Sequence, residues 1–242
     1  MTISAFWWLD VTNWGDRLTP LLLHRFARLD VTWAPADSAD IVCVGSILGN
    51  LVKPDYKGVI LGSGKLFEDG IVPPHARILA LRGPLTARGV PGDYALGDPG
   101  LLADELVAVR DKKYDLGIIP HWSDYTLERD PRFLKYNPII IRSDGDPLTI
   151  IQRIGSCRKI VSSSLHGLIL ADAFNIPRRF EATAAWIREG GDFKVRDHNA
   201  NVGLPFKVGE LQQANSSRVG DCKSELWDAM AVAGTINLMH KG

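Results

Sequence analysis

The stretch VSSSLHGLILADAFNIP, residues 161–177, places three hydroxyls, an imidazole and a glycine between two apolar runs. Ser162, Ser163 and Ser164 close a strand-like run, and His166 falls in the first turn of an apolar helix-like run. Hydroxyls and the exposed N–H groups at a helix N-terminus suit an anion, and an imidazole beside them can pass a proton. A Ser–His nucleophile pair is the poorer reading. Residues two apart across a strand end rarely meet, and no GxSxG elbow is present.

Four further clusters set polar side chains where strands end. In TNWGDRLTP, residues 12–20, Asn13 and Asp16 either bind a sugar hydroxyl or form an Asx turn that caps the next helix. In LGSGKLF, residues 61–67, the N–H groups of Gly62, Ser63 and Gly64 either cradle an anion beside Lys65 or make a tight turn. In LALRGPLTARG, residues 79–89, Arg82 precedes Gly83 and a helix expected to open at Pro84, and a guanidinium there suits a carboxylate or phosphate. The alternative for Arg82 is an ion pair with a structural acid such as Asp98. In LGDPGLL, residues 96–102, Asp98 before Pro99 reads first as a helix N-cap. His121, in Pro120-His121-Trp122, is a proton carrier, a sugar contact or a structural histidine.

Such clusters act together only if strands deliver them to one rim. Short Val- and Ile-rich runs ending at Gly, Asp, Ser or Pro predict strands at 3–8, 31–34, 40–45, 58–62, 77–81, 93–96, 115–119, 138–142, 159–162 and 178–181. Segments of helical spacing separate them, which is the pattern of parallel sheets. Thr19 and Pro20 open the first helix, with Leu18, Leu22 and Phe26 on its core face. Asp146-Pro147 opens another, with Leu148, Ile151 and Ile154 at helical spacing, and 165–174 forms a third, apolar nearly all round. The charged run from Val109 to Lys113 reads as a junction, dividing residues 1–110 from 111–242 as two Rossmann-like domains. The second includes a terminal helix near 223–239. Between 182 and 221 the alternation fades, and Gly190-Gly191 and 199–203 read as loops.

Composition narrows the field. The 242 residues are 45% hydrophobic and 23% charged, values of an ordinary globular chain. Lys plus Arg equals Asp plus Glu at 28 each, so no global charge argues for nucleic acid or an anionic membrane. Cys43, Cys157 and Cys222 are scattered without a CxxC pair, so buried reduced thiols are expected rather than a metal site. The first residues lack a basic region followed by a long apolar run, and no stretch nears the roughly 20 residues needed to span a bilayer. These bounds fit a cytoplasmic enzyme making at most peripheral contact with the inner face of a membrane.

The order of motifs adds specificity. NWGD, LGSG, LRGPLTAR, LGDPGLL, GIIPHW and SSSLHGLILADAFNIP, in that succession over residues 13–177, resemble the polysaccharide pyruvyl transferase family. The later DFKVRDHNANVGLP, residues 192–205, is similar to a Phe-Lys-x-x-Asp segment of members that decorate exopolysaccharides. The resemblance implies an α/β fold of two Rossmann-like domains facing a cleft, as in GT-B glycosyltransferases. It also implies transfer of the carboxyvinyl unit of phosphoenolpyruvate to two hydroxyls of a hexose, giving a ketal and phosphate. The acceptor would be a polysaccharide or lipid-linked intermediate, with no cofactor beyond the phosphoenolpyruvate donor and no metal assigned. Arg82, Leu165 and His166 correspond to donor-site positions. Many relatives carry Arg where this chain has Ser164, and Lys194 is the candidate replacement cation.

The chemistry asks for cations or N–H donors for a carboxylate and a phosphate, and Arg82, Lys194 and the Ser162–Ser164 turn are the candidates. His166 would protonate the methylene carbon, held charged by an adjacent anion. Asp16, Asp98 and His121 are the candidate bases for the sugar hydroxyls. The alternatives are a nucleotide-sugar glycosyltransferase, for which paired Rossmann halves serve equally, and a non-catalytic carbohydrate- or anion-binding protein, suggested by Ser164 and the short chain.

Overall fold

The computed structural model describes residues 3–9, 13–184 and 191–236. All ten expected strands form, because short β-branched runs bounded by turn residues suit a pleated, buried position. β1 (Ile3–Phe6), β2 (Val31–Trp33), β3 (Ile41–Val42), β4 (Val59–Leu61), β5 (Arg77–Leu81) and β6 (Ala95–Leu96) make one sheet, ordered β2-β1-β3-β4-β5-β6 and parallel throughout. A second sheet holds β7 (Gly117–Ile119), β8 (Ile139–Ile140), β9 (Ile160–Ser162) and β10 (Arg178–Phe180), mutually parallel. Its eleventh-numbered strand, β11 (Leu211–Gln212), runs antiparallel to β10 at the edge. Two residues have no period to read, so this strand was not anticipated. Parallel pairing puts the carboxyl ends of neighbouring strands level. Ile119 pairs with Ser162, and Phe180 pairs with Ser162 from the other side.

The helices are α1 (Leu18–Leu22), running on into a wider π turn over Leu23–Ala27, and then α2 (Pro131–Leu134), α3 (Pro147–Gly155) and α4 (Leu165–Ala173). α5 (Phe193–Asn201) and α6 (Ser216–Thr235) follow, and a 3-10 helix spans Pro99–Leu106. Asp146 caps α3 by accepting from the Thr149 N–H at 2.8 Å. Its buried stripe is Ile150, Ile151 and Ile154, while Leu148 is exposed. α1 starts one residue before the expected cap, with Arg17 at the N-cap position. Thr19 instead accepts the Val44 N–H at 3.2 Å, tying the helix to the end of β3. The helix expected at Pro84 is only a turn. The expected end of the terminal helix, 237–239, and Gly190 lie outside the described residues.

One core cluster is shared by both sheets, joining Ala5 and Leu61 to Ile119 and Ile160 through the helices between them. Every residue of α4 is buried. Its Leu168, Ile169 and Leu170 each stabilise by roughly 1.5–3 kcal/mol. α4 packs on the 3-10 helix Pro99–Leu106, which also meets α1 and α6. α6 lies against β4, β5 and β6, so the terminal helix returns to the first sheet rather than covering the second. The three cysteines are buried and free. Among the described residues no helix is long and apolar enough to cross a membrane.

Candidate active site

A pocket of about 110 Å³ opens where loops from both sheets meet. Asn13 and Asp16 reach it from the turn before α1, and Ser46 and Asn50 from the segment after β3. His121 and Trp122 follow β7, Ser164, Leu165 and His166 begin α4, and Lys194 comes from α5. Seven of the sequence-derived candidates therefore share one lining: Asn13, Asp16, His121, Ser164, Leu165, His166 and Lys194. Ser164 and Lys194, the substituted position and its candidate replacement cation, are among them.

Local folding fixes these groups. Asn13 donates to Asp16 Oδ2 at 2.6 Å and accepts the Gly15 N–H at 3.2 Å, so the Asx turn and the polar presentation are the same structure. A Cβ on Gly15 would stand 2.0 Å from His166 Nδ1, so only glycine lets the imidazole lie against this turn. Trp14 meets the same ring edge-on at 6.0 Å. On the second sheet, Ser163 accepts the His121 N–H at 2.8 Å, fixing the loop that presents His121. Trp122 meets Trp8 edge-to-face at 5.5 Å, giving the pocket an aromatic wall.

Burial sets the charges. Asp16 is pushed up to about 7, first by burial and then by the charge on Asp98, against the Asn13 hydrogen bond and Lys194. Its carboxyl therefore keeps its proton well above the pH at which an ordinary aspartate loses it. Burial lowers His166, with Arg82, Lys194 and His198 acting in the same sense and Asp98 opposing them. Its ring is neutral at neutral pH in the free protein. Burial also takes His121 down to about 4, helped by Lys194, so it is not a proton donor there.

The remaining candidates stand behind the pocket. Arg82 is fully buried, and its Nε donates to Asp197 at 2.9 Å, with its other nitrogens on Ser46 and the Lys65 carbonyl. It thus makes an ion pair, with Asp197 rather than Asp98 as the acid, and it braces pocket-lining Ser46. Asp98 accepts the Gly100 N–H at 2.9 Å, the cap that its Asp-Pro sequence suggests. Ser162 donates to the carbonyls of Ile119 and Ser164 and accepts the Ser164 N–H, so its hydroxyl joins β7 to the start of α4. The glycine turn is no anion cradle. The N–H groups of Gly62 and Gly64 bond to the carbonyls of Ala80 and Gly45, and the Ser63 hydroxyl donates to the Cys43 carbonyl. A Cβ on Gly62, at φ +92°, would stand 2.2 Å from Pro99 Cδ, so this turn serves close packing.

Asp197 is the main residue that sequence reasoning did not single out. One oxygen takes the N–H groups of Leu85 and Thr86 at 2.8 and 2.9 Å, and the other takes Arg82 and the Thr86 hydroxyl. The carboxylate satisfies the donors that a helix at Pro84 would have left open, so a turn suffices there. The Phe-Lys-x-x-Asp spacing was its only signal. On α5 that spacing sends Lys194 to the pocket and Asp197 to the Arg82 loop. Ser46, Asn50 and Trp8 had no motif to mark them as lining, whereas Trp122 stood beside His121 in GIIPHW.

A polar pocket at the carboxyl ends of parallel strands is where an α/β fold usually takes its ligand. The polysaccharide pyruvyl transferase family pattern matches residues 3–180, and the chain belongs to that family and to its pyruvyltransferase enzymes. It is 31% identical over 183 residues to the succinoglycan biosynthesis protein ExoV of Rhizobium meliloti (strain 1021), covering 69% of this chain and 55% of that one. The chain thus spans about half the length of ExoV. It is also 25% identical over 221 residues to the uncharacterized protein L143 of Acanthamoeba polyphaga mimivirus, covering 84% of this chain and 75% of that one.

Proposed function

We propose that the chain transfers the carboxyvinyl group of phosphoenolpyruvate to two hydroxyls of a hexose in a polysaccharide or lipid-linked oligosaccharide intermediate, forming a pyruvate ketal and phosphate. The observation that carries this reading is the gathering of Asp16, His166 and Lys194 in one pocket, the first two within the family's matched region. Residues 1–110 and 111–242 act as two Rossmann-like halves facing a GT-B-like cleft, with α6 crossing back to the first. The work is done in the cytoplasm, at the inner face of the membrane where a lipid-linked acceptor resides.

Lys194 and the N–H groups at the start of α4 hold the donor's carboxylate and phosphate. The donor's negative charge raises the proton affinity of His166, which then protonates the methylene carbon. The resulting cationic carbon is attacked by one hydroxyl, phosphate leaves, and the second hydroxyl closes the ketal. Of the two hydroxyl protons, one replaces the proton spent on carbon and the other leaves with phosphate. Asp16, ionised once His166 is charged, is the base. Trp8, Trp122 and neutral His121 form the acceptor side, where indole faces suit sugar C–H groups.

Phosphate release from phosphoenolpyruvate should depend on a hexoside acceptor. No acceptor-dependent release across a panel of model and lipid-linked hexosides contradicts the reading. Tight nucleotide-sugar binding by calorimetry, without phosphoenolpyruvate binding, assigns a glycosyltransferase instead.

A further inference from the structure

Asp98 opens the 3-10 helix Pro99–Leu106 and lines no part of the pocket, yet its charge acts on both members of the acid–base pair. One of its oxygens holds the Gly100 N–H, while Oδ2 is buried and makes no hydrogen bond. Nε2 of His166 is likewise buried without a partner. Buried polar atoms nearly always find one. Here the two orphans belong to elements packed directly together, since the 3-10 helix lies against α4 and a Cβ on Gly100 would touch Ile169 of α4. The same 3-10 helix also packs on α1, which follows the turn carrying Asp16, so the element that Asp98 opens touches the elements that present both members of the pair, and unsatisfied buried groups there point to a use in proton handling.

The surrounding charges say what that use is. His166 faces Arg82 from the loop after β5 and Lys194 and His198 from α5, all of which disfavour an imidazolium. Asp16 faces Lys194 and the Asn13 amide, which favour its ionised form. Cys43, at the end of β3, also feels Asp98, and His121 across the pocket feels Lys194 and Asp124. Among these groups Asp98 is the buried anion that opposes the cations at both sites.

We propose that Asp98 is a positioning residue for protons: acting on Asp16 and His166 together, its carboxylate keeps one transferable proton within that pair until the donor binds. The proton leaves the Asp16 carboxyl oxygen and arrives on the His166 ring nitrogen, so the pair's total charge is unchanged. This inference rests on the acid–base reading above, but its test needs no substrate.

Asp98→Asn keeps an oxygen for the Gly100 N–H and removes the charge. In the substrate-free protein, His166 is followed by ring-carbon NMR titration and Asp16 by its carboxyl carbon shift. Both midpoints are expected to fall by about one pH unit or more, in the same direction, as loss of a buried neighbouring anion requires. Asp98→Ser, which can also cap, is measured alongside. Unmoved midpoints in a folded variant, or movement of only one group, overturn the proposal. Failure of both variants to fold assigns Asp98 to the fold and also overturns it. In turnover, both limbs of the pH–rate profile move to lower pH, whereas a merely structural role lowers the rate and leaves the limbs in place. Absence of pyruvyl transfer with shifted midpoints refutes the catalytic reading alone.

Discussion

Replacing Arg82 separates two accounts of that residue, as a donor-binding cation and as a brace. Both Arg82 and Asp197 have fully buried side chains, and their contact is 2.9 Å. Removing one partner of such a pair costs about 3–5 kcal/mol, because the other charge stays out of water. At roughly 2–4 °C per kcal/mol for a chain of this length, Arg82→Met should lower Tm by about 6–20 °C. Asp197→Asn should lower it comparably, since the amide retains an acceptor for Leu85 or Thr86 but meets the guanidinium with a donor. The double variant strands neither charge, so it should lose less than the sum, by about 2–3 kcal/mol. Thermal unfolding by circular dichroism at constant pH measures all three, with phosphoenolpyruvate affinity by calorimetry as the companion readout. Arg82→Met with an unchanged Tm but no phosphoenolpyruvate binding would refute the brace and restore the guanidinium to the donor.

Three further outcomes follow from the pocket. Gly15→Ala should cut turnover by at least about 10²-fold, because the new Cβ would fall on the His166 ring; steady-state rates check this, and normal turnover contradicts the close approach. For Asp16, the folded value near 7 lies above the ordinary 3.8, so the folded state binds more protons between those limits and stability declines as pH rises from about 4 to 7. Asp16→Asn should therefore flatten the Tm–pH curve over that range while abolishing transfer, and an unchanged slope contradicts the raised value. Lys194→Met should weaken phosphoenolpyruvate binding about 10- to 100-fold, the size of a lost charge-assisted contact, with little change in acceptor KM. Equal loss on both substrates would remove Lys194 from the donor side.

Strands were the most legible part of the chain, because runs such as GIIP and KIVSSS carry apolar residues of high β-propensity up to a sharp polar stop. α4 was legible for the same reason, being apolar on every side. α5 was not, since it buries Lys194, Asp197, His198, Asn199 and Asn201, and a helix whose buried face is polar has no hydrophobic period to find. The same polarity hid Asp197. Strand and helix patterning placed Asn13, Asp16 and His166 between a strand and the start of a helix, where they lie, yet it could not say which polar atoms would be used up by backbone. Ser162, Ser163 and the glycine turn illustrate that limit: their donors and acceptors close the loops, and long-range pairing decides this. Arg82 illustrates the other, because its partner lies 115 positions away on a helix that periodicity does not reveal.

The most direct test of the pyruvyl-transfer claim is to run the reaction in deuterated water with phosphoenolpyruvate and a hexoside acceptor, and to read the product by proton and carbon NMR. Protonation of the methylene carbon from the pocket predicts a ketal methyl group carrying one deuterium, released with one phosphate per acceptor. A product retaining the vinyl =CH₂, or phosphate formed without any carbon–oxygen bond to the sugar, would contradict it.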